Sequence, residues 1–357
     1  MSKNRFIKMF FIQALVLLLA AGLLVVIFDP FYHYHKPIGS MKAVVTKSEH
    51  QCIGTIRHFD YDAIIMGSSI AENYNNHWFD EAFGGTTIKG IKSGGTTVEL
   101  LYYLKEAFEA KERKGQKLNN VYYCLDMTAL ESDPEEVFPT EDFPLYLFNH
   151  NPFDDVQYIW NKDVIFESIP YLIATNLQGD YDEGLSYSWA EGKTFATEMA
   201  MKYYARPEQI AEQKAAEEGM EWVSRNLDMI KEQVEAHPET TFRFIMSPFS
   251  ILWWDEAYRD GSLNHRLYAM EYAISELLPY DNCEIYFYMD QEEIVTNLDN
   301  YMDNIHFSQD INHYVVEQMA LGKGRLTEEN YRQTLAHMLE IVERAEDTLL
   351  PKLYGEL

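Results

Sequence analysis

The stretch Tyr61–Ser69 says more about the fold than any other part of this chain. Ala63–Met66 is a short apolar run that leads directly into Gly67-Ser68-Ser69. A run of that length, ended by small turn residues, reads as a buried strand. An alternation of helices and strands follows. A helix is expected over Glu72–Phe83, a strand over Thr86–Ile91 and a strand over Val121–Leu125. Between the last two, Thr97–Lys114 reads as an amphipathic helix, with Leu101, Leu104 and Phe108 on one face and Gly115 at its end. Strands alternating with helices predict an α/β fold with a parallel sheet covered on both faces.

The alternation stops after Asp126. From Met127 to about Thr240 the chain is irregular and then helical, rich in tyrosine, tryptophan and acidic residues, with Pro139, Pro144 and Pro152 in its first part. A long helix is expected over Glu208–Glu235. The region has no strand set of its own, so it reads as a helical insertion at about 127–240. The sheet resumes with strands over Phe242–Met246 and Cys283–Tyr288, separated by a helix over Leu263–Leu278. Ser308 is placed to cap a helix over Gln309–Leu321. A last helix from Thr327 carries Tyr331, Leu335, Met338, Val342 and Leu349 at helical spacing.

The N-terminus is a separate element. Lys3, Arg5 and Lys8 precede an apolar run from Met9 to Phe28, interrupted only by Gln13. About 20 apolar residues cross a bilayer as a helix. Ala20-Ala21-Gly22 offers small residues for a signal-peptide cleavage site, but the apolar run continues beyond them. That length favours an uncleaved transmembrane anchor. Basic residues on its amino side keep that side in the cytoplasm, so the main domain is expected to be extracellular. The chain thus divides into a cytoplasmic stub and anchor (1–28), a juxtamembrane connector (29–59) and a main α/β domain with the helical insertion (60–357).

The formal charge of −28 excludes a nucleic-acid-binding surface and accounts for solubility without naming a partner. Three cysteines, Cys52, Cys124 and Cys283, form no disulfide framework. No CxxC motif or His/Cys cluster points to a metal site. His33-x-His35 reads as membrane-interface sequence.

Three short motifs fall where an open parallel sheet gathers its functional groups, after the carboxyl ends of strands. Ser69 follows the first strand and opens a helix, whose free N–H groups can hold an oxyanion. Gly94-Gly95 follows the second strand and gives a backbone N–H close access to a reacting oxygen. Asp303-Asn-Ile-His306 follows the fifth strand. That spacing can bring the carboxylate to one imidazole nitrogen while the other faces a serine. Each motif alone is ordinary turn chemistry, and this chain has eleven histidines. Their order makes the serine hypothesis specific. Trp253 and Trp254 follow the fourth strand and are candidates for a sugar-binding platform.

That order resembles the SGNH (GDSL-type) hydrolase superfamily. Gly67-Ser68-Ser69 is similar to its first block, Ser93-Gly94-Gly95-Thr96 to its second and Asp303–His306 to its last. The resemblance spans about Tyr61 to Leu321 without the insertion. It implies a flavodoxin-like three-layer α/β/α sandwich, with Ser69 as nucleophile, His306 as base and Asp303 as its orienter. It also implies oxyanion donors at the Ser69 and Gly94 amides, and no metal or organic cofactor. The third block normally supplies an oxyanion asparagine. Here the strand ends Tyr123-Cys124-Leu125-Asp126-Met127, and no asparagine is present. The Gly-Ser-Ser variant and the anchor are similar to the D-alanyl transfer protein of teichoic acid modification and to anchored proteins of polysaccharide O-acetylation. The implied function is an extracytoplasmic esterase or O-acyltransferase acting on acyl esters of a cell-envelope polysaccharide or teichoic-type polymer. Such a protein would work beside a membrane-bound O-acyltransferase. The alternative is an inactive protein of the same fold that binds glycan or that partner.

Overall fold

The computed structural model describes residues 3–139, 142–149, 151–179, 181 and 188–355. In chain order the longer helices are α1 (Lys3–Phe28), α2 (Ser48–His58), α3 (Asn76–Phe83), α4 (Thr97–Arg113), α5 (Ile169–Gln178), α6 (Met220–Ala236), α7 (Ile251–Asp260), α8 (Leu263–Leu277), α9 (Gln309–Ala320) and α10 (Tyr331–Arg344). The strands are β1 (Ala63–Gly67), β2 (Thr87–Ile91), β3 (Asn120–Cys124), β4 (Thr241–Met246) and β5 (Cys283–Phe287). The chain forms two compact units, one of Met1–Asp60 with Phe138–Tyr187 and one of Tyr61–Val137 with Ser188–Leu357. The expected insertion is therefore shared between them.

The second unit holds the sheet. Its five strands pair in parallel in the order 2-1-3-4-5, the flavodoxin-like arrangement. Every residue of β1 is buried, as the Ala-Ile-Ile-Met-Gly sequence requires of a central strand covered on both faces. β1 and β2 run together on one side, and the chain then crosses to β3 on the other. The reversal lies beside the carboxyl end of β1, where such sheets bind their ligands. Local signals support the helices. Thr96 and Glu99 form a reciprocal capping box at the start of α4. Ser308 stands at the N-cap of α9, but its side chain makes no capping hydrogen bond.

The long helix expected over Glu208–Glu235 is shorter, since α6 begins only at Met220. Residues 207–218 have good helix formers, yet their backbone is used elsewhere. The Ala211 amide donates to the Arg259 carbonyl and the Lys214 amide to Gly261, both at 2.8 Å. Tertiary hydrogen bonds at the end of α7 override local propensity here.

The first unit contains α1, which is long and apolar enough to cross a membrane. Its core gathers Val25, Phe31, Ile53, Tyr146, Leu147, Tyr158, Val164 and Ile169. The connector is ordered, contrary to its lack of periodicity. Asp29 is fully buried and accepts hydrogen bonds from the amides of His33, Tyr34 and His35 and from the Tyr158 hydroxyl. Gln51 of α2 satisfies four more backbone groups: its oxygen accepts from the Thr46 and Lys47 amides, and its nitrogen donates to the Pro30 and Val44 carbonyls. Irregular backbone is buried here because these side chains supply its missing partners.

Candidate active site

Ser69 opens a helical turn, Ser69–Glu72, immediately after β1. The tight exit depends on Gly67, whose φ is +152°. A Cβ there would lie 2.8 Å from the Ala71 Cβ and 2.9 Å from the Cys124 Cβ. Only glycine lets β1 end this close to both β3 and the helical turn.

His306 comes from the loop between β5 and α9. Asp303 shapes that loop: its Oδ1 accepts the amides of Ile305 at 2.9 Å and His306 at 2.7 Å. This leaves Oδ2 facing His306 Nδ1 at 2.7 Å. The Met302 amide donates to the His306 carbonyl, and Tyr301 and Phe307 form an antiparallel bridge. The stretch after β4 braces the same loop. Ser250 Oγ donates to the Asn304 carbonyl, and the Tyr301 hydroxyl donates to that of Pro248.

The two distant segments meet. Ser69 Oγ lies 2.8 Å from His306 Nε2, across 237 positions of sequence. With Asp303 on Nδ1, the proton belongs on that nitrogen, and Nε2 is left to accept from the serine. Burial would raise the Asp303 pKa. The hydrogen bonds and charge of His306, with the Ile305 amide, outweigh burial and hold the carboxyl below its ordinary range. It therefore stays ionised and able to stabilise an imidazolium.

Two amides just after the carboxyl ends of the neighbouring strands β1 and β2 are available. Among the described residues neither the Ser69 nor the Gly94 amide has a protein acceptor. Gly94 has a φ of +61° and is exposed, in the left-handed region that other residues avoid. Asp126, at the place where the resemblance implies an oxyanion asparagine, has both oxygens engaged. Oδ2 accepts from Ser68 Oγ and Oδ1 from the Thr128 amide, each at 2.9 Å. It ties the end of β3 to the Gly-Ser-Ser turn and caps the turn Met127–Leu130.

One neighbour of the pair, Trp189, is marked in the sequence only as an aromatic residue of the insertion. Trp189 Nε1 donates to the Ser69 carbonyl at 2.8 Å, and the indole meets the His306 ring edge-on, 5.0 Å between centroids and 87° between planes. Its segment is strapped down by Asn73, whose Oδ1 accepts from Ser188 Oγ and from the Trp189 and Ala190 amides. Gln309 Nε2 adds bonds to Ser188 Oγ and to the Asn73 carbonyl. Nothing in the spacing links residue 189 to residue 69, and only the fold brings them together.

The expected platform of Trp253 and Trp254 is corrected. Both lie in α7, at 5% and 0% exposure, stacked edge-on against each other with Arg266 over Trp253. They pack the core and offer no face to a sugar. A cavity of about 610 Å³ lies apart from this site. It is lined by Leu118 and Glu239, which precede β3 and β4, and so lies at the amino ends of the strands.

Ser69, His306 and Asp303 are thus in continuous hydrogen-bonded contact, the geometry that nucleophilic serine chemistry needs, with the Trp189 indole beside them. The chain matches no family model, no curated protein and no solved structure.

Proposed function

We propose that this protein is a membrane-anchored, extracytoplasmic serine esterase or O-acyltransferase of SGNH type. Its substrate would be an acyl ester of a cell-envelope polysaccharide or teichoic-type polymer. The observation that carries this reading is the unbroken relay from Ser69 Oγ through His306 to Asp303. In the reaction, Ser69 Oγ attacks the acyl carbonyl as His306 Nε2 takes its proton. The Ser69 and Gly94 amides receive the oxyanion. His306 then returns the proton to the departing alkoxide, and water or a sugar hydroxyl releases the acyl group by the same steps in reverse. Lys3, Arg5 and Lys8 in the first turns of α1, before its apolar run, support an outward-facing domain. Anchoring suits a polymer assembled at the membrane, beside a membrane-bound O-acyltransferase that would supply or receive the acyl group.

A fluorophosphonate probe tests the reading. The full-length protein should be labelled, Ser69→Ala should not, and Asp303→Asn should react about 10⁴-fold more slowly, as expected for loss of the base-orienting carboxylate. Equal labelling of wild type and Ser69→Ala would overturn it.

A second reading is favoured by Asp126. With a carboxylate in place of the asparagine donor, a hole of two amides forgoes about 100- to 1000-fold in rate. On this reading the fold is kept to bind glycan or a partner. Saturable binding of polymer by folded protein that resists the probe would support it.

A further inference from the structure

Helix α1 is bare over its first turns and covered toward its end. Phe6, Phe11, Leu15 and Leu17 are exposed, whereas Gly22 and Val25 are buried. The cover is the helical turn Val156–Ile159 and the residue after it. Trp160 Nε1 donates to the Leu18 carbonyl at 2.9 Å. A Cβ on Gly22 would lie 2.8 Å from Ile159 Cγ2, so this approach needs the missing side chain. Leu18 lies ten residues before the end of α1, roughly 15 Å along the axis. The hydrocarbon core of a bilayer is about 30 Å thick. A segment fixed at that level of a spanning helix meets lipid.

Its outer surface has the matching chemistry. Phe153, Phe166 and Leu177 are 85%, 76% and 83% exposed. Helix α5 carries no charged residue. Ile169, Leu172 and Thr175 form its buried stripe, while Pro170, Ala174 and Leu177 continue an exposed one from Phe166. A helix apolar on two sides needs cover on both. The charged Lys162 and Glu167 are exposed nearby, and their long stems can reach headgroups while the apolar side chains face inward.

We propose that Phe153–Trp160 and Phe166–Leu177 form a lipid-binding collar around the carboxyl half of α1. It extends from the outer interface down to the level of Leu18, roughly 15 Å below the end of α1 and inside the hydrocarbon core. The occupant of the exposed apolar face is the bilayer, because the face is continuous with a helix that itself spans it. The inference rests on the anchor reading.

The test uses the full-length chain in lipid nanodiscs with one spin label at a time, at Phe166→Cys or Leu177→Cys. The native cysteines are buried, so labelling is selective. Val16→Cys is the lipid standard and Glu239→Cys, on the sheet-bearing unit, the aqueous one. At positions 166 and 177 collisions with oxygen should rise and collisions with a water-soluble nickel chelate fall severalfold relative to 239. Values equal to those at 239, with 16 in lipid, overturn the collar. Spin–spin coupling between chains at 166 or 177 also overturns it, because a second copy would then cover the face. An aqueous signal at 16 removes the anchor itself.

Discussion

At the residue scale, the site is held by side chains that serve backbone geometry as much as chemistry. Asp303 uses one oxygen to fold its own loop and the other to orient His306. Trp189 acts as a positioning residue on both partners at once, with its N–H on the Ser69 carbonyl and its ring against the imidazole. Trp189→Phe keeps the aromatic edge and removes the N–H. One such hydrogen bond contributes about 0.5–1.5 kcal/mol, so the probe reaction should slow by about 2- to 12-fold. A bulk role alone would leave the phenylalanine variant at wild-type rate and slow only Trp189→Ala. The serine, histidine and aspartate were legible as sequence because their motifs are local. Trp189 was not, since its partners are set by a strap that Asn73 holds in place.

At the scale of elements, the strands and most helices follow from apolar periodicity, and the departures have physical causes. Residues 207–218 gave up a helix for hydrogen bonds to α7. Helix α2 was hidden because seven of its eleven residues are buried, polar ones included, leaving no amphipathic stripe to read. Burial there has a consequence for pH. Burial, with Lys47 nearby, pushes the His50 pKa down to about 4, and burial also lowers His33. A histidine depressed in the folded state binds fewer protons than in the unfolded state below about pH 6.5. The first unit should therefore be most stable above that pH and lose up to about 3 kcal/mol from His50 as pH falls toward 4. Hydrogen exchange of the α2 amides checks this. Their protection should drop between pH 7 and 4.5 in wild type and less so in His50→Gln. Equal loss in both would rule out the histidine as the cause.

At the scale of the molecule, the sheet-bearing unit is closed by a buried ionic cluster that joins three distant segments. Arg206 bonds Asp255 of α7 at 3.1 Å and Glu346, beyond α10, at 2.9 Å. Arg259 reaches the same two carboxylates, and the Tyr204 hydroxyl donates to Asp255. Removing Arg206 leaves Arg259 alone to compensate two buried carboxylates, and breaking a buried pair costs about 3–5 kcal/mol. Arg206→Met should lower the denaturation midpoint accordingly, while a fall of under about 1 kcal/mol would mark the cluster as solvated. No periodicity announces such a cluster.

What the sequence determined alone was whatever depends on neighbours along the chain: the apolar span, the strand and helix rhythm that makes a parallel sheet, and the short motifs at strand ends. The flavodoxin-like order of that sheet was an expectation of the resemblance, and the strand pairing bears it out. Tertiary structure decided the rest. It buried Trp253 and Trp254, brought Trp189 to Ser69, occupied both oxygens of Asp126 and covered part of α1. Those outcomes depend on which distant polar groups and surfaces must satisfy one another once the chain is compact, and spacing in sequence carries no measure of that distance.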